Sequence, residues 1–234
     1  MRLDRFLAEC GIGTRTEVKK LIKLGKISVE GIPKPTPELH IDPENSTIFV
    51  DGKKAFYRKF IYLLLNKPQG YVSATWDKKL PVVCDLIPEE YRHFEAFPVG
   101  RLDIDTEGLL LLTNDGDLAH RLLSPKHHVP KTYIAQLEKA VKNSDFKVFE
   151  KGIDLGDFTT LPATLKIISN KEPYFAEVTI CEGKFHQVKR MFEAVDNKVI
   201  YLKRIKMKNL CLDDIKLGKV RELTEEELKK LKGE

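Results

Sequence analysis

Leu109-Leu110-Leu111-Leu112 is a short, unbroken apolar block. The turn residues Asn114-Asp115-Gly116 follow it and a largely polar run from Arg101 to Glu107 precedes it, the pattern of a strand buried on both faces. Other stretches in the same half of the chain read as strands too: Phe60 to Leu65, Tyr71 to Ala74, Thr132 to Leu137, Leu165 to Ile168 and Phe175 to Ile180. Helical spacing interrupts them. Leu118, Ala119, Leu122 and Leu123 lie along one face of a short helix that Ser124-Pro125 ends. Val188, Met191, Phe192 and Val195 recur at i, i+3, i+4 and i+7, the stripe of an amphipathic helix beginning near Lys184. Thr224 and Glu227 have the spacing of a capping box ahead of a closing helix.

The N-terminal pattern is different. Leu3, Phe6 and Leu7 predict one short helix. Thr14 with Glu17 predicts a capped second helix whose apolar face is Val18, Leu21 and Ile22 and which Gly25 stops. Ile27-Ser28-Val29 and Ile48-Phe49-Val50 read as strands, with Pro33, Pro35 and Pro37 enforcing an irregular loop between them. A charged stretch from Lys53 to Lys59 then separates two self-contained hydrophobic patterns. The predicted organisation is a small module over residues 1–58 and a larger α+β domain over 59–234, built on a mixed, mostly antiparallel sheet with flanking helices.

Composition adds bounds. At 234 residues and 42% hydrophobic content the chain can bury one large core and a small satellite. No apolar run approaches the roughly 20 residues of a membrane helix, and the opening Met1-Arg2-Leu3-Asp4 lacks the apolar core of a secretory signal, so a cytoplasmic protein is expected. Cys10, Cys84, Cys181 and Cys211 are far apart and lack metal-ligand spacing, as do the histidines, which points to buried thiols and to no metal.

The net charge of +5 is modest but unevenly spread. Residues 1–26 carry Arg2, Arg5, Arg15, Lys19, Lys20, Lys23 and Lys26 against three acids; residues 181–208 carry eight basic side chains, including Lys184, Lys189 and Arg190, against three acids. Two basic patches on a mildly acidic remainder suggest a polyanion touched at two places, whereas either patch alone would pass for a solvated lysine-rich surface.

The polar run ahead of the leucine block places a cation and a carboxylate, Arg101 and Asp103, on the lip of a buried sheet, with extended backbone directing both to one face. By itself Asp103 reads better as a surface-turn residue. The order Gly100-Arg101-Leu102-Asp103 followed by Thr106-Glu107-Gly108 and the leucine block resembles the active-site motif of the RsuA-type pseudouridine synthases. Three further stretches resemble that family in order: Leu65-Asn66-Lys67-Pro68-Gln69-Gly70-Tyr71, Ser124-Pro125-Lys126-His127-His128-Val129-Pro130-Lys131-Thr132-Tyr133, and Gly183-Lys184-Phe185-His186-Gln187-Val188-Lys189-Arg190-Met191-Phe192. The N-terminal module is similar to the αL-type RNA-binding domain of a ribosomal small-subunit protein.

The resemblance implies an enzyme that isomerises a uridine of small-subunit ribosomal RNA with no cofactor, metal or nucleotide. Asp103 is implied as the catalytic carboxylate, either attacking the ribose carbon or removing a ribose proton to give a glycal, with Lys184 set against it. Tyr133 would stack on the uracil and Arg101 would fill the gap left by the flipped base. Lys131, His186, Gln187, Lys189 and Arg190 join the N-terminal cations as expected RNA contacts, the last four near a helix start whose free N–H groups favour phosphate. A monomer is expected. Three alternatives stand beside this reading: a large-subunit rRNA synthase, a non-catalytic rRNA-binding assembly factor, and a metal-dependent nuclease using Asp103, Asp105, Asp115 and Asp117.

Overall fold

The computed structural model describes residues 1–233, which divide into two compact units, Met1–Ile61 with Pro88–Ala96, and Tyr62–Ile87 with the described residues from Phe97 onward. In the first, α1 (Leu3–Glu9) and α2 (Arg15–Lys23) pack beside a three-stranded antiparallel sheet of β1 (Ile27–Val29), β2 (Ile48–Val50) and β3 (Lys53–Lys54). The capping box forms as its spacing predicts: Glu17 N–H donates to Thr14 Oγ1 at 3.3 Å, and Thr14 N–H donates to the Glu17 carboxylate at 2.8 Å. Leu3, Phe6, Leu7, Val18, Ile22, Ile27, Val29, Ile41 and Ile48 form its core.

The expected hinge at Lys53 to Lys59 is partly sheet. Lys53–Lys54 pairs with Phe49–Val50, and Tyr57 stacks on Phe6 with ring centroids 5.6 Å apart while its hydroxyl donates to Glu9 at 3.1 Å. Residues 88–96, which contain the one-turn helix α3 (Glu89–Arg92), also belong to this unit. A Cβ added at Gly11 would lie 2.7 Å from the His93 ring, which is why the chain needs glycine there.

The second unit is a nine-stranded sheet made from β4 (Tyr62–Lys67), β5 (Phe97–Pro98), β6 (Glu107–Thr113), β7 (Lys131–Leu137), β8 (Thr164–Ser169), β9 (Tyr174–Ile180), β10 (Val199–Met207), β11 (Leu210–Cys211) and β12 (Val220–Glu222). Its main path runs β12-β4-β6-β10-β7-β9-β8, antiparallel everywhere except at the β6–β10 contact. Every residue of β4 is buried, as are Gly108 to Thr113 of β6, so the leucine blocks of these two neighbouring strands read as continuous apolar runs. Helices α4 (Gly116–Leu123), α5 (Asn143–Lys151), α6 (Gln187–Glu193) and α7 (Glu225–Lys232) accompany the sheet.

Gly108 explains the parallel contact. Its φ is +107°, and a Cβ there would collide with the Arg204 carbonyl of β10, so only glycine lets the two strands approach beside the Asp103 loop.

Three expectations change. Tyr71 to Ala74 is not a strand; its single bridge, Val72 to Val82, leaves Ser73 free to bond the Asp103 loop instead. The amphipathic helix begins at Gln187 rather than near Lys184, because His186 takes a left-handed φ of +49° that ends helical propagation. Strand β10 and helix α5 carry so many charged side chains that their periodicity is hidden, and β10 lies inside a stretch expected as a basic surface.

Candidate active site

Asp103 opens the turn that leads into β6: Thr106 N–H donates to its carbonyl at 3.0 Å. The turn is held from behind by Leu65 to Ser73. Lys67, fully buried at the end of β4, directs its ammonium at the carbonyl oxygens of Pro68 (3.0 Å), Asp103 (3.0 Å), Ile104 (3.4 Å) and Thr106 (2.9 Å). Ser73 Oγ donates to the Leu102 carbonyl at 2.9 Å and accepts from Leu102 N–H at 3.0 Å, and Gly70 N–H donates to Ile104 at 2.8 Å. Burial pulls the Lys67 pKa down to about 8 against the opposing pull of the Asp103, Asp105 and Glu107 carboxylates. A lysine within an otherwise buried strand was the available sequence signal for this clamp.

The Asp103 carboxylate, 28% exposed, faces two basic groups: His186 Nε2 at 3.7 Å and Lys189 Nζ at 3.5 Å. Lys189 also bonds both oxygens of Asp105, at 2.6 and 2.8 Å. Burial works against ionisation of Asp105, but the Lys189 hydrogen bond and charge, with His186, outweigh it and hold the carboxyl below its usual range. The expected pairing of Asp103 with Lys184 is therefore replaced by Lys189 and His186. Lys184 stays exposed, with its Nζ 5.9 Å from the Phe158 ring centroid.

A cavity of about 50 Å³ lies against Asp103, with Arg101, Tyr133, Ile180, Lys184, His186 and Leu202 among its walls. Two wider spaces adjoin it. One of about 400 Å³ runs past Asp103, Ile104 and Phe185; the other, of about 470 Å³, lies beside Tyr133 and Arg204. Tyr133 is buried on β7 and lines both the small cavity and the 470 Å³ one. Arg101 is exposed, has no ion-pair partner among the described residues, and borders all three spaces.

Several expected RNA contacts are occupied by the protein itself. Gln187 is buried; its Oε1 accepts from Lys184 N–H at 3.0 Å and its Nε2 donates to Glu182 at 2.7 Å. Arg190 pairs with Asp157 and donates to the Leu155 carbonyl at 2.9 Å. Lys131 differs from these: it is buried, but its ammonium has a single acceptor, the Val129 carbonyl at 2.8 Å, and no ion pair among the described residues. With α6 starting only at Gln187, Gly183 to His186 offers no run of helix-start N–H groups to a phosphate.

In the first unit, Arg2 bonds Asp4 and Glu38, Arg5 bonds Glu9, Lys26 lies 3.5 Å from Asp51 and Lys19 lies 3.9 Å from Asp4. Arg15, Lys20 and Lys23 remain as exposed cations on α2 without an ion pair among the described residues.

The four aspartates of the nuclease alternative do not converge. Asp115 is buried, caps α4 through Leu118 N–H at 3.0 Å and accepts from the Tyr62 hydroxyl at 2.7 Å. No group of three His, Cys, Asp or Glu side chains among the described residues is placed to hold a metal ion. None of the described helices is long and apolar enough to cross a membrane.

Residues 61–194 match the model for RNA pseudouridylate synthase, and residues 1–44 match the S4 domain. The chain is 49% identical to the Bacillus subtilis RNA pseudouridine synthase YtzG, with 97% of each chain covered. It is 40% identical to ribosomal large subunit pseudouridine synthase B of the same organism, over 99% of this chain and 96% of that one. Identity to ribosomal small subunit pseudouridine synthase A of Escherichia coli is 38%, over 97% and 98%. A crystal structure of a pseudouridylate synthase superposes with a TM-score of 0.69 at 36% identity and covers 99% of both chains. An acidic turn clamped beneath a tyrosine-walled cavity and these full-length likenesses agree, and the chain belongs to the RNA pseudouridylate synthase family, as an RNA isomerase with an S4 domain ahead of its catalytic domain.

Proposed function

We propose that this enzyme isomerises a uridine of small-subunit ribosomal RNA to pseudouridine and that Asp103 is its catalytic carboxylate. The observation that carries the reading is the placement of Asp103 in a rigidly clamped turn, beside Lys189 and His186 and facing the cavity that Tyr133 walls. The reaction breaks the bond from uracil N1 to ribose C1′, turns the base, and joins C5 to C1′. The hydrogen on C5 leaves as a proton and N1 gains one. Asp103 either adds to C1′ and is displaced when C5 attacks, or takes the C2′ proton to give a glycal and returns it. In both routes the carboxylate must stay aimed at the sugar while the base rotates, which the Lys67 and Ser73 contacts to the turn provide.

Tyr133 supplies the ring face for the flipped uracil, and the exposed, unpaired Arg101 is the side chain able to enter the duplex gap. Lys189 and His186 support the carboxylate. Residues 1–58 serve as the RNA-binding module and 59–234 as the catalytic domain.

The small-subunit assignment rests on the wording from Ser124 to Tyr133. A large-subunit substrate is the second reading, favoured by the 40% identity to a large-subunit synthase. Tritium release from uridine labelled at C5 tests both points, using transcripts of each ribosomal RNA. Asp103→Asn is expected to lower turnover by about 10⁴-fold or more with RNA affinity nearly intact, while Asp105→Asn has a much smaller effect. Activity of Asp103→Asn within tenfold of wild type would remove Asp103 from the catalytic role. Release from the large-subunit transcript alone would reassign the substrate.

A further inference from the structure

The 470 Å³ cavity beside Tyr133 holds two buried cations that no acidic side chain neutralises by direct contact. Arg204 is 2% exposed; its Nε donates to the Leu109 carbonyl at 2.8 Å, but its Nη2 is buried without a hydrogen-bond partner. Lys131 is 8% exposed and its ammonium has one acceptor, the Val129 carbonyl, for three hydrogens. Glu182 shares the cavity, yet its Oε1 already accepts from Leu161 N–H and Gln187 Nε2, both at 2.7 Å. Neither cation lies within 4.0 Å of a carboxylate among the described residues. Lys184 and Arg101 add exposed cations at the rim.

Desolvated, like-charged donors facing one cavity are unfavourable unless an anion joins them. We propose that this cavity is a phosphate site for the RNA, in which Lys131 and Arg204 hold a backbone phosphate next to the nucleotide whose base lies on Tyr133. The placement follows from Tyr133, which walls both this cavity and the one against Asp103. A guanidinium edge and an ammonium suit the oxygens of a phosphodiester. The ammonium is also under electrostatic pressure: burial and then Arg204 push the Lys131 pKa down to about 8, against a smaller upward pull from Cys181 and Glu182. A bound phosphate relieves both effects.

This inference rests on the proposed rRNA reading, and its test separates the two. Lys131→Met keeps the aliphatic stem and removes a buried, unpaired charge, which offsets the hydrogen bond lost to the Val129 carbonyl, so the variant should melt close to wild type. Binding of the full-length protein to transcripts of both ribosomal RNAs is followed as log affinity against log salt concentration. Removing one of the two cations that hold this phosphate should lower the slope, by at most roughly 0.7 to 0.9; Lys131→Arg should restore it, and Asp103→Asn should leave it unchanged. An unchanged slope in Lys131→Met overturns the proposal, as does a melting temperature well below wild type, which would make the ammonium a structural strut. Inorganic phosphate is titrated in parallel at constant ionic strength. Phosphate binding that disappears in Lys131→Met while the RNA slope stays fixed would assign the cavity to a free ion and overturn the RNA contact. Should Asp103→Asn stay active while the Lys131→Met slope falls, the catalytic assignment fails and the phosphate site stands.

Discussion

At the scale of single residues, Lys67 shows how a charge can be structural without an ion pair. Its ammonium replaces water for four carbonyls, three of them in the turn that carries Asp103. Lys67→Met would remove the ammonium from all four, leaving the Asp103 and Ile104 carbonyls only their backbone donors, Thr106 N–H and Gly70 N–H, at a cost of about 2–4 kcal/mol in unfolding free energy. The freed turn should misplace the carboxylate, and a shift of about 1 Å costs on the order of 10²-fold in turnover. Urea unfolding and single-turnover tritium release check the two effects separately. A folded Lys67→Met protein that reacts at the wild-type rate would show that the turn keeps its shape without the clamp.

At the scale of elements, α7 illustrates docking by local charge chemistry. Thr224 and Glu227 form the capping box, Glu227 accepts a two-pronged contact from Arg221 of β12 at 2.7 and 2.8 Å, and Leu231 buries its side chain. The Arg221 hydrogen bonds, opposed by burial and aided by Thr224, hold the Glu227 carboxyl at about 2. Because its folded pKa lies below the ordinary value of 4.5, this stabilisation is fully present above pH 4.5 and is lost as the pH falls towards 2. Glu227→Gln should therefore destabilise the protein by about 1–2 kcal/mol at neutral pH, discounted for partial solvent screening. In urea titrations the gap between the two proteins should narrow steadily below pH 4.5, and a gap independent of pH would locate the effect elsewhere.

At the scale of the whole molecule, the unit boundary shapes which experiments are informative. Residues 88–96 pack with the N-terminal unit although they interrupt the catalytic one in sequence, so cutting the chain at Lys53 to Lys59 would strip that segment of its partners. Substitution in the full chain is the cleaner probe. Replacing Arg15, Lys20 and Lys23, the unpaired cations of α2, with alanine should flatten the log affinity versus log salt plot for rRNA by roughly 0.7 to 0.9 for each phosphate no longer neutralised. Arg5→Ala, which removes a cation already paired to Glu9, should change it less. Equal slopes for the triple variant and wild type would mean that this helix face meets solvent rather than RNA.

Local stereochemistry made much of this protein legible in one dimension. The capping boxes at Thr14 and Thr224, the helix ended by Ser124-Pro125, the buried leucine strand and the acidic turn ahead of it depend on neighbours a few residues apart, where spacing alone sets the outcome. The tertiary structure decided which charges face one another. Asp103 meets His186 and Lys189 across more than 80 positions, Lys67 reaches Thr106 across 39, and Arg204 reaches Leu109 across 95. Periodicity carries no information at such separations. A sum of basic side chains likewise cannot tell the exposed Lys20 from the buried Lys131, because desolvation and pairing depend on what the fold brings alongside each charge.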